Sequence, residues 1–220
     1  MSRGLLIVFE GAEGAGKSTQ LNRLAEWLNA RGRDVVSLRE PGGTAVGDEI
    51  RRVLLDPASE IAPRAEALLF MASRAQLVER RIRPSLDRGS IVLLDRFFLS
   101  TYAYQAHGRG LPEEEIRVAN SMATDGLVPD LTLLLTLPVE AGLARAMERG
   151  GHDRMERADI GFHVRVTNAF GLFATQAWQR VHTECGPIDA VDGSGTETEV
   201  FARVVETLRR RWPDSFSATV

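Results

Sequence analysis

At 220 residues, with 44% hydrophobic and 26% charged content, the chain has the length and apolar share for one α/β domain with a sizeable core. A net charge of −3 and an isoelectric point near 5.9 give no global reason to expect a nucleic acid or a membrane surface as partner. The lone cysteine, Cys185, leaves no intrachain disulfide and no cysteine-built metal centre, and it fits a reducing compartment.

In chain order, short runs rich in Leu, Ile and Val alternate with stretches in which apolar residues recur every three or four positions. The runs Leu5–Phe9, Val35–Leu38, Ile91–Leu94, Leu131–Leu137 and Ile188–Val191 read as strands buried on both faces. Helical periodicity falls on Lys17–Ala30, Val46–Leu55, Ala65–Leu86, Pro112–Thr124, Val139–Glu148, Ile160–Thr183 and Glu197–Arg210. Such alternation predicts an α/β fold of three layers, a parallel sheet of about five strands with helices on both faces. No repeat or linker divides the chain, so residues 1–220 read as a single domain with a tail that frays from about residue 213. The first apolar run passes straight into the next motif with no cleavage pattern, and no stretch reaches bilayer length; the expectation is a soluble, cytoplasmic protein without a membrane partner.

That next motif is Gly11-Ala12-Glu13-Gly14-Ala15-Gly16-Lys17-Ser18-Thr19, which fits G-x-x-x-x-G-K-[ST] between a strand and a helix. A loop of this kind turns several backbone N–H groups onto one phosphate chain, and glycines keep side chains out of their way. The following helix adds its free N–H groups and positive dipole end. Lys17 is placed to reach the β- and γ-phosphates, and the Ser18 hydroxyl to hold Mg²⁺. The fold class is therefore the phosphate-loop nucleoside triphosphate hydrolase type, with a phosphate chain and Mg²⁺ as the expected ligands. Lys17 is also the only lysine among 27 basic residues, so arginine serves everywhere except where a slim point charge is wanted. Its isolation excludes the Asn-Lys-x-Asp guanine reader of GTP switches.

Ligands of open parallel sheets sit at the carboxyl ends of the strands. Asp95 closes the third strand, where a carboxylate orients Mg²⁺ or its water shell, although a strand-capping role is also open. Arg96 beside it and Arg39 at the end of the second strand offer bidentate forks for a second phosphate, separate from that of the triphosphate. An acceptor nucleotide is the simple explanation.

Five motifs in order then resemble one family, the bacterial thymidylate kinases. They are Phe9-Glu10-Gly11-x-Glu13-Gly14-Ala15-Gly16-Lys17-Ser18-Thr19-Gln20, Arg39-Glu40-Pro41-Gly42-Gly43-Thr44, Phe70-x-x-x-Arg74-x-Gln76-Leu77, Asp95-Arg96-Phe97 with Ser100-Thr101-x-Ala103-Tyr104-Gln105, and Asp153-Arg154-Met155-Glu156. The resemblance implies phosphorylation of dTMP by ATP. Phe70 would stack on thymine, Arg74 donate to a base carbonyl, and Gln105, helped by Thr101, read the N3–H edge, with Ser100 also in the substrate site. Tyr104 would lie near the sugar, and Glu10 near the sugar or a metal-bound water. By residue type alone Phe70 and Tyr104 also fit ordinary helix core.

The segment at about 149–157 resembles the family's lid, with Gly150 and Gly151 as hinge and arginines as mobile charge. Because the phosphate loop carries no arginine, the chain resembles the group whose catalytic arginine lies in the lid, and Arg149 and Arg154 are the candidates beside Lys17 and Arg96. Asp192–Thr196 resembles the adenine-side loop and equally suits a turn with a helix cap. His107, His152, His163 and His182 show no metal-ligand spacing and read as filler. Apolar faces around Leu68–Leu77 and Ile160–Ala177 suit a homodimer. The rival readings are another nucleoside or nucleotide kinase, and a nucleotide-binding protein without catalysis.

Overall fold

β1 (Leu6–Glu10) is buried along its whole length, as a central strand flanked on both sides and covered on both faces must be. A computed structural model describes residues 3–148 and 153–216. Among them, β1, β2 (Val35–Arg39), β3 (Ile91–Asp95), β4 (Leu131–Thr136) and β5 (Ile188–Asp192) form one parallel sheet in the order β2-β3-β1-β4-β5. Alternation along β1 divides the core. Leu6 and Val8 face a large cluster with Phe97, Tyr102, Phe162 and Phe173, and Ile7 and Phe9 face a smaller one with Leu24, Leu28, Val204 and Leu208. The smaller cluster is capped by α1 (Lys17–Asn29) and α10 (Glu197–Arg211). The opposite face carries α3 (Pro63–Leu77), α6 (Glu113–Thr124) and α8 (Ile160–Phe173). Shorter helices complete the order: α2 (Ala45–Leu55), α4 (Arg83–Asp87), α5 (Phe98–Thr101), α7 (Val139–Glu148), α9 (Gln176–Val181) and α11 (Pro213–Phe216).

Three helical segments depart from the periodicity. The expected helix Ala65–Leu86 is α3 followed by a π turn at Val78–Ile82 and then α4. Pro84 in the first turn of α4 has no N–H for the ladder, and the widened turn ahead of it absorbs the missing bond. Helix over Ile160–Thr183 breaks after α8, where the Thr175 side chain accepts from Trp178 N and starts α9. The segment Phe98–Gly108, given no helical assignment from periodicity, is α5 continued by a π-helical stretch at Tyr102–Gly108. It carries buried Phe98, Leu99, Tyr102, Ala103 and Ala106 on several faces, so no amphipathic stripe marks it.

The tail is corrected as well. Pro213–Phe216 forms a helical turn, with Phe216 1% exposed and its ring stacked on Trp27 at 6.5 Å and tilted against Trp212 at 5.7 Å. Burial of an aromatic of this size outweighs the ordering cost of one turn. No helix of the described residues is long and apolar enough to cross a membrane.

Register lines up what matters for the site. Phe9 and Arg39 both pair with Asp95, so the ends of β1, β2 and β3 meet in one row, and the loops leaving them share one crevice.

Candidate active site

The phosphate loop leaves β1 at Gly11 and enters α1 at Lys17. Gly11 and Gly14 have φ of 141° and 75°, and a Cβ there would lie 2.4 Å from Leu135 O and 2.1 Å from Gly142 O. Only glycine satisfies both demands. Gly16 has φ of 89° with open space around it, so backbone conformation alone selects it. Lys17 is buried, and its Nζ donates to Gly11 O at 3.0 Å and Ala12 O at 2.8 Å. Burial pushes the amine down from 10.5 to about 8, aided by the Arg96 charge and opposed by Glu13, Asp95 and Glu10. Ser18 Oγ donates to Asp95 Oδ2 at 2.5 Å, which puts the two expected metal ligands side by side.

A cleft of about 310 Å³ runs from this loop along the strand ends. Glu13, Gly14, Gly16, Lys17, Ser18 and Thr19 line one end. Arg39, Asp95 and Arg96 line the cleft too, as do Phe70, Arg74, Ser100, Thr101, Tyr104 and Gln105, and Asp95 and Arg96 are in contact with the loop. Ala15 is buried in the core beneath the loop, and Gly11 and Ala12 contribute carbonyls to Lys17. Gly193 backs onto the same loop, where a Cβ would lie 3.3 Å from Ala15 O, while Thr196 caps α10 with a reciprocal bond from Glu199.

Arg96 has φ of 72°, unusual for a side-chain-bearing residue. The strained turn aims its guanidinium back at the loop: it donates to Glu13 Oε2 at 3.1 Å, Ser100 Oγ at 3.1 Å and Gly11 O at 3.4 Å, and lies 5.1 Å from the Tyr104 ring centre. Glu10 holds that turn in place. Its carboxylate is fully buried and accepts from Phe97 N at 2.7 Å, Ser100 N at 3.0 Å and Ser100 Oγ at 2.7 Å, an anion set on the N-terminus of α5. The expectation of Glu10 beside a sugar or metal-bound water is corrected: both oxygens are occupied and the residue does not line the cleft.

Phe70 is half-buried and lines the cleft, outside the buried core. Arg74 is 2% exposed, and every nitrogen of its guanidinium is engaged. It meets Glu40 at 2.8 and 2.7 Å, Thr101 Oγ1 at 2.9 Å, Phe97 O at 2.8 Å, and Asn120 Oδ1. A base carbonyl would have to share a donor that already has a protein acceptor, which narrows the expected role of Arg74 to a preset, rigid edge. Its partner Glu40 is raised above the usual carboxylate range by burial, against the pull of Arg74.

The lid expectation changes most. Arg149 lies outside the described residues, as do Gly150, Gly151 and His152. Arg154 does not line the cleft: its Nη1 sits 2.7 Å from the buried Glu66 carboxylate, its Nε donates to Leu54 O at 2.8 Å, and its backbone N–H to Leu55 O at 3.1 Å. Through these contacts Arg154 ties its segment to Glu66 on α3 and to the carbonyls at the end of α2. Asp153, Met155 and Glu156 line the cleft from the same segment.

Three residues escaped the sequence reading. Arg51 lines the cleft, donates to Pro41 O at 2.9 Å, and has its pKa lowered by burial and by the nearby Arg39 charge. Its signal was the four-residue step from Gly47, a helical glycine packed against Thr44 and Ser73, on the face turned toward the cleft. His163 also lines the cleft, through a ring nitrogen within 3.2 Å of Glu156 O. Glu66 is the buried carboxylate beneath Arg154 and Gln105.

Chemically, the cleft joins a triphosphate-type anion site to a second cationic group at Arg39, Arg51 and Arg96 and an aromatic-and-amide end that suits a planar base. A family model described as thymidylate kinase matches residues 9–195. Thymidylate kinase of Deinococcus radiodurans is 53% identical over 211 residues, covering 96% of this chain and 99% of that one. The chain belongs to the thymidylate kinase family. That of Carboxydothermus hydrogenoformans is 44% identical over 199 residues, covering 90% and 94%. In structure, thymidylate kinase of Ehrlichia chaffeensis superposes with a TM-score of 0.73 at 29% identity, over 94% of this chain and 99% of that one. As a member of the thymidylate kinase family the chain is a phosphotransferase, and its phosphate-loop fold is that of the family.

Lys17 sets a pH dependence. A phosphate beside the amine favours its charged form, so ligand binding above pH 8 takes up a proton, whereas below pH 7 this group adds no pH dependence. Calorimetric titration of ADP should show affinity falling toward about tenfold per pH unit between pH 8 and pH 9.5, with proton uptake visible in buffers of different ionisation heat. Affinity that stays flat over that range would remove the buried amine from the anion site.

Proposed function

We propose that the chain transfers the γ-phosphoryl of ATP to dTMP, giving dTDP and ADP, with Mg²⁺ as the assisting ion, in the cytoplasm and as a homodimer. The observation that supports this reading is a second cationic group, Arg39, Arg51 and Arg96, lining one cleft together with the phosphate loop and the half-buried Phe70.

The acceptor phosphate is ionised at neutral pH, so its oxygen attacks the γ-phosphorus without a general base, and the P–O bond to ADP breaks as the new one forms. Alignment and charge placement do the work. Lys17 leaves its loop carbonyls for the β- and γ-phosphate oxygens. Arg39, Arg51 and Arg96 hold the acceptor phosphate in line, and Phe70 and Gln105 fix the base so that the phosphate cannot slide. Ser18 and Asp95 are hard oxygen ligands in contact, and no larger cluster of metal-binding side chains occurs among the described residues. Two protein oxygens with the rest from water and phosphate suit Mg²⁺. When bound, the ion neutralises charge on the triphosphate. Tyr104, against Arg96 and below the acceptor sugar, disfavours a 2′-hydroxyl.

Apolar side chains support the homodimer. Leu68 on α3 and Val118 and Met122 on α6 are 64%, 61% and 88% exposed on helices that pack together, as are Ile160 and Leu172 on α8 at 73% and 42%.

Coupled ADP-release assays with dTMP, dUMP, dCMP, dGMP and thymidine test the substrate. We expect dTMP to give the highest kcat/KM and thymidine the lowest of the pyrimidines, because it lacks the phosphate that three arginines await. A better acceptor than dTMP would shift the reading to another nucleotide kinase. With Arg154 committed to Glu66, we assign the lid's catalytic cation to Arg149. Arg149→Ala should lower kcat by about a hundredfold or more, whereas Arg154→Ala should act mainly on KM. The reverse pattern would return Arg154 to the transferring phosphoryl.

A further inference from the structure

Glu66 has no place in the reaction just described, yet it is one of the most completely buried polar residues of the chain. It lies in the first turn of α3, and its carboxylate collects three side chains from two other segments. Oε1 accepts from Gln105 Nε2 at 2.8 Å and Arg109 Nε at 3.2 Å, and Oε2 lies 3.1 Å from Arg109 Nη2 and 2.7 Å from Arg154 Nη1. Arg109 is held over the Phe162 ring at 4.5 Å, which keeps the pair of guanidiniums fixed about the carboxylate. A carboxylate balanced by two guanidiniums accepts hydrogen bonds and offers none.

An amide can face a neighbour by either end, and its two ends ask opposite things of a base. Against Glu66 there is no choice: turning the Gln105 amide over would set its carbonyl oxygen against a buried carboxylate oxygen, with neither able to donate. The amide nitrogen is therefore committed to Glu66. The carbonyl oxygen, which meets no donor among the described residues, is left for the cleft that Gln105 lines.

We propose that Glu66 is a positioning residue for specificity, fixing the Gln105 amide so that an acceptor faces the base and selecting a base that carries an N3–H. Thymine and uracil present that donor. Cytosine presents an N3 acceptor and would set two lone pairs against each other, a mismatch that buried sites reject far more strongly than a missing methylene. The inference rests on the reading that Gln105 meets the base edge.

Steady-state kinetics with ATP and either dTMP or dCMP, on the full chain and on Glu66→Gln, Glu66→Asp and Gln105→Ala, separate the possibilities. Glu66→Gln can pair with either end of the Gln105 amide, and the dCMP-to-dTMP ratio of kcat/KM should rise about tenfold or more, chiefly through the KM for dTMP. Glu66→Asp, still acceptor-only, should keep the ratio within about threefold of the unaltered chain. A Glu66→Gln variant that slows both acceptors in equal proportion would overturn the proposal, since that is what loss of packing alone would do. If Gln105→Ala leaves the ratio unchanged, the base-edge reading fails instead. Should Glu66→Gln fail to fold, the side-chain ¹⁵N–¹H₂ signals of Gln105 in the unaltered chain decide it, assigned by their absence in Gln105→Ala. They should exchange slowly with solvent and move little on addition of dTMP; a large shift would show the amide nitrogen facing the base and contradict the proposal.

Discussion

Positive charge is assembled in and beneath this cleft, and each cation has to be held inside the protein at low dielectric. Lys17, Arg96, Arg74, Arg109 and Arg154 would repel one another and lose their hydration if each were left alone. The fold meets that constraint by giving each an internal acceptor. Lys17 rests on two loop carbonyls, Arg96 on Glu13, Arg74 on Glu40, and Arg109 and Arg154 together on Glu66. These pairings separate two kinds of cation. Arg74 and Arg154 are paired with the buried carboxylates Glu40 and Glu66. Lys17 and Arg96 hold weaker or partly exposed partners, and a phosphate can displace those.

The same distinction explains the strained turn at Arg96. A left-handed backbone at an arginine costs on the order of 1 kcal/mol and persists only where its surroundings determine it. Glu10, with both oxygens on the N-terminus of α5, supplies that determination from beneath. One buried anion thus turns the chain after β3 so that Arg96 faces the phosphate loop, Asp95 meets Ser18, and the helix carrying Thr101, Tyr104 and Gln105 runs along the acceptor end of the cleft.

The five strands, the phosphate loop and most helices were legible because their signals are local: apolar runs of strand length, a glycine spacing, a period of 3.6. Arg96 was singled out by its place at a strand end and Phe70 and Gln105 by motif order, and all three line one cleft. The carboxylates were not. Glu66 stands 39 positions before Gln105 and 88 before Arg154, and Glu40 stands 34 before Arg74, so only the closed fold makes them neighbours. Helix Phe98–Gly108 was hidden for a related reason: burial on several faces erases the stripe by which a surface helix is recognised. The partner of Arg154 was hidden in the same way, because an arginine in a basic segment reads as mobile charge until a buried carboxylate is seen beneath it. Phe216 was hidden too, since polar neighbours concealed one aromatic that staples the tail to Trp27.

On the proposed reading, the acceptor nucleotide binds at a site of its own, without need of ATP, with its phosphate on Arg39, Arg51 and Arg96. Calorimetric titration of dTMP and of thymidine into the chain without ATP tests this most directly. The account predicts one dTMP per chain, with thymidine weaker by about a hundredfold or more for want of the charge-assisted contacts. Binding of dTMP only when ATP is present, or thymidine binding as tightly as dTMP, would contradict it.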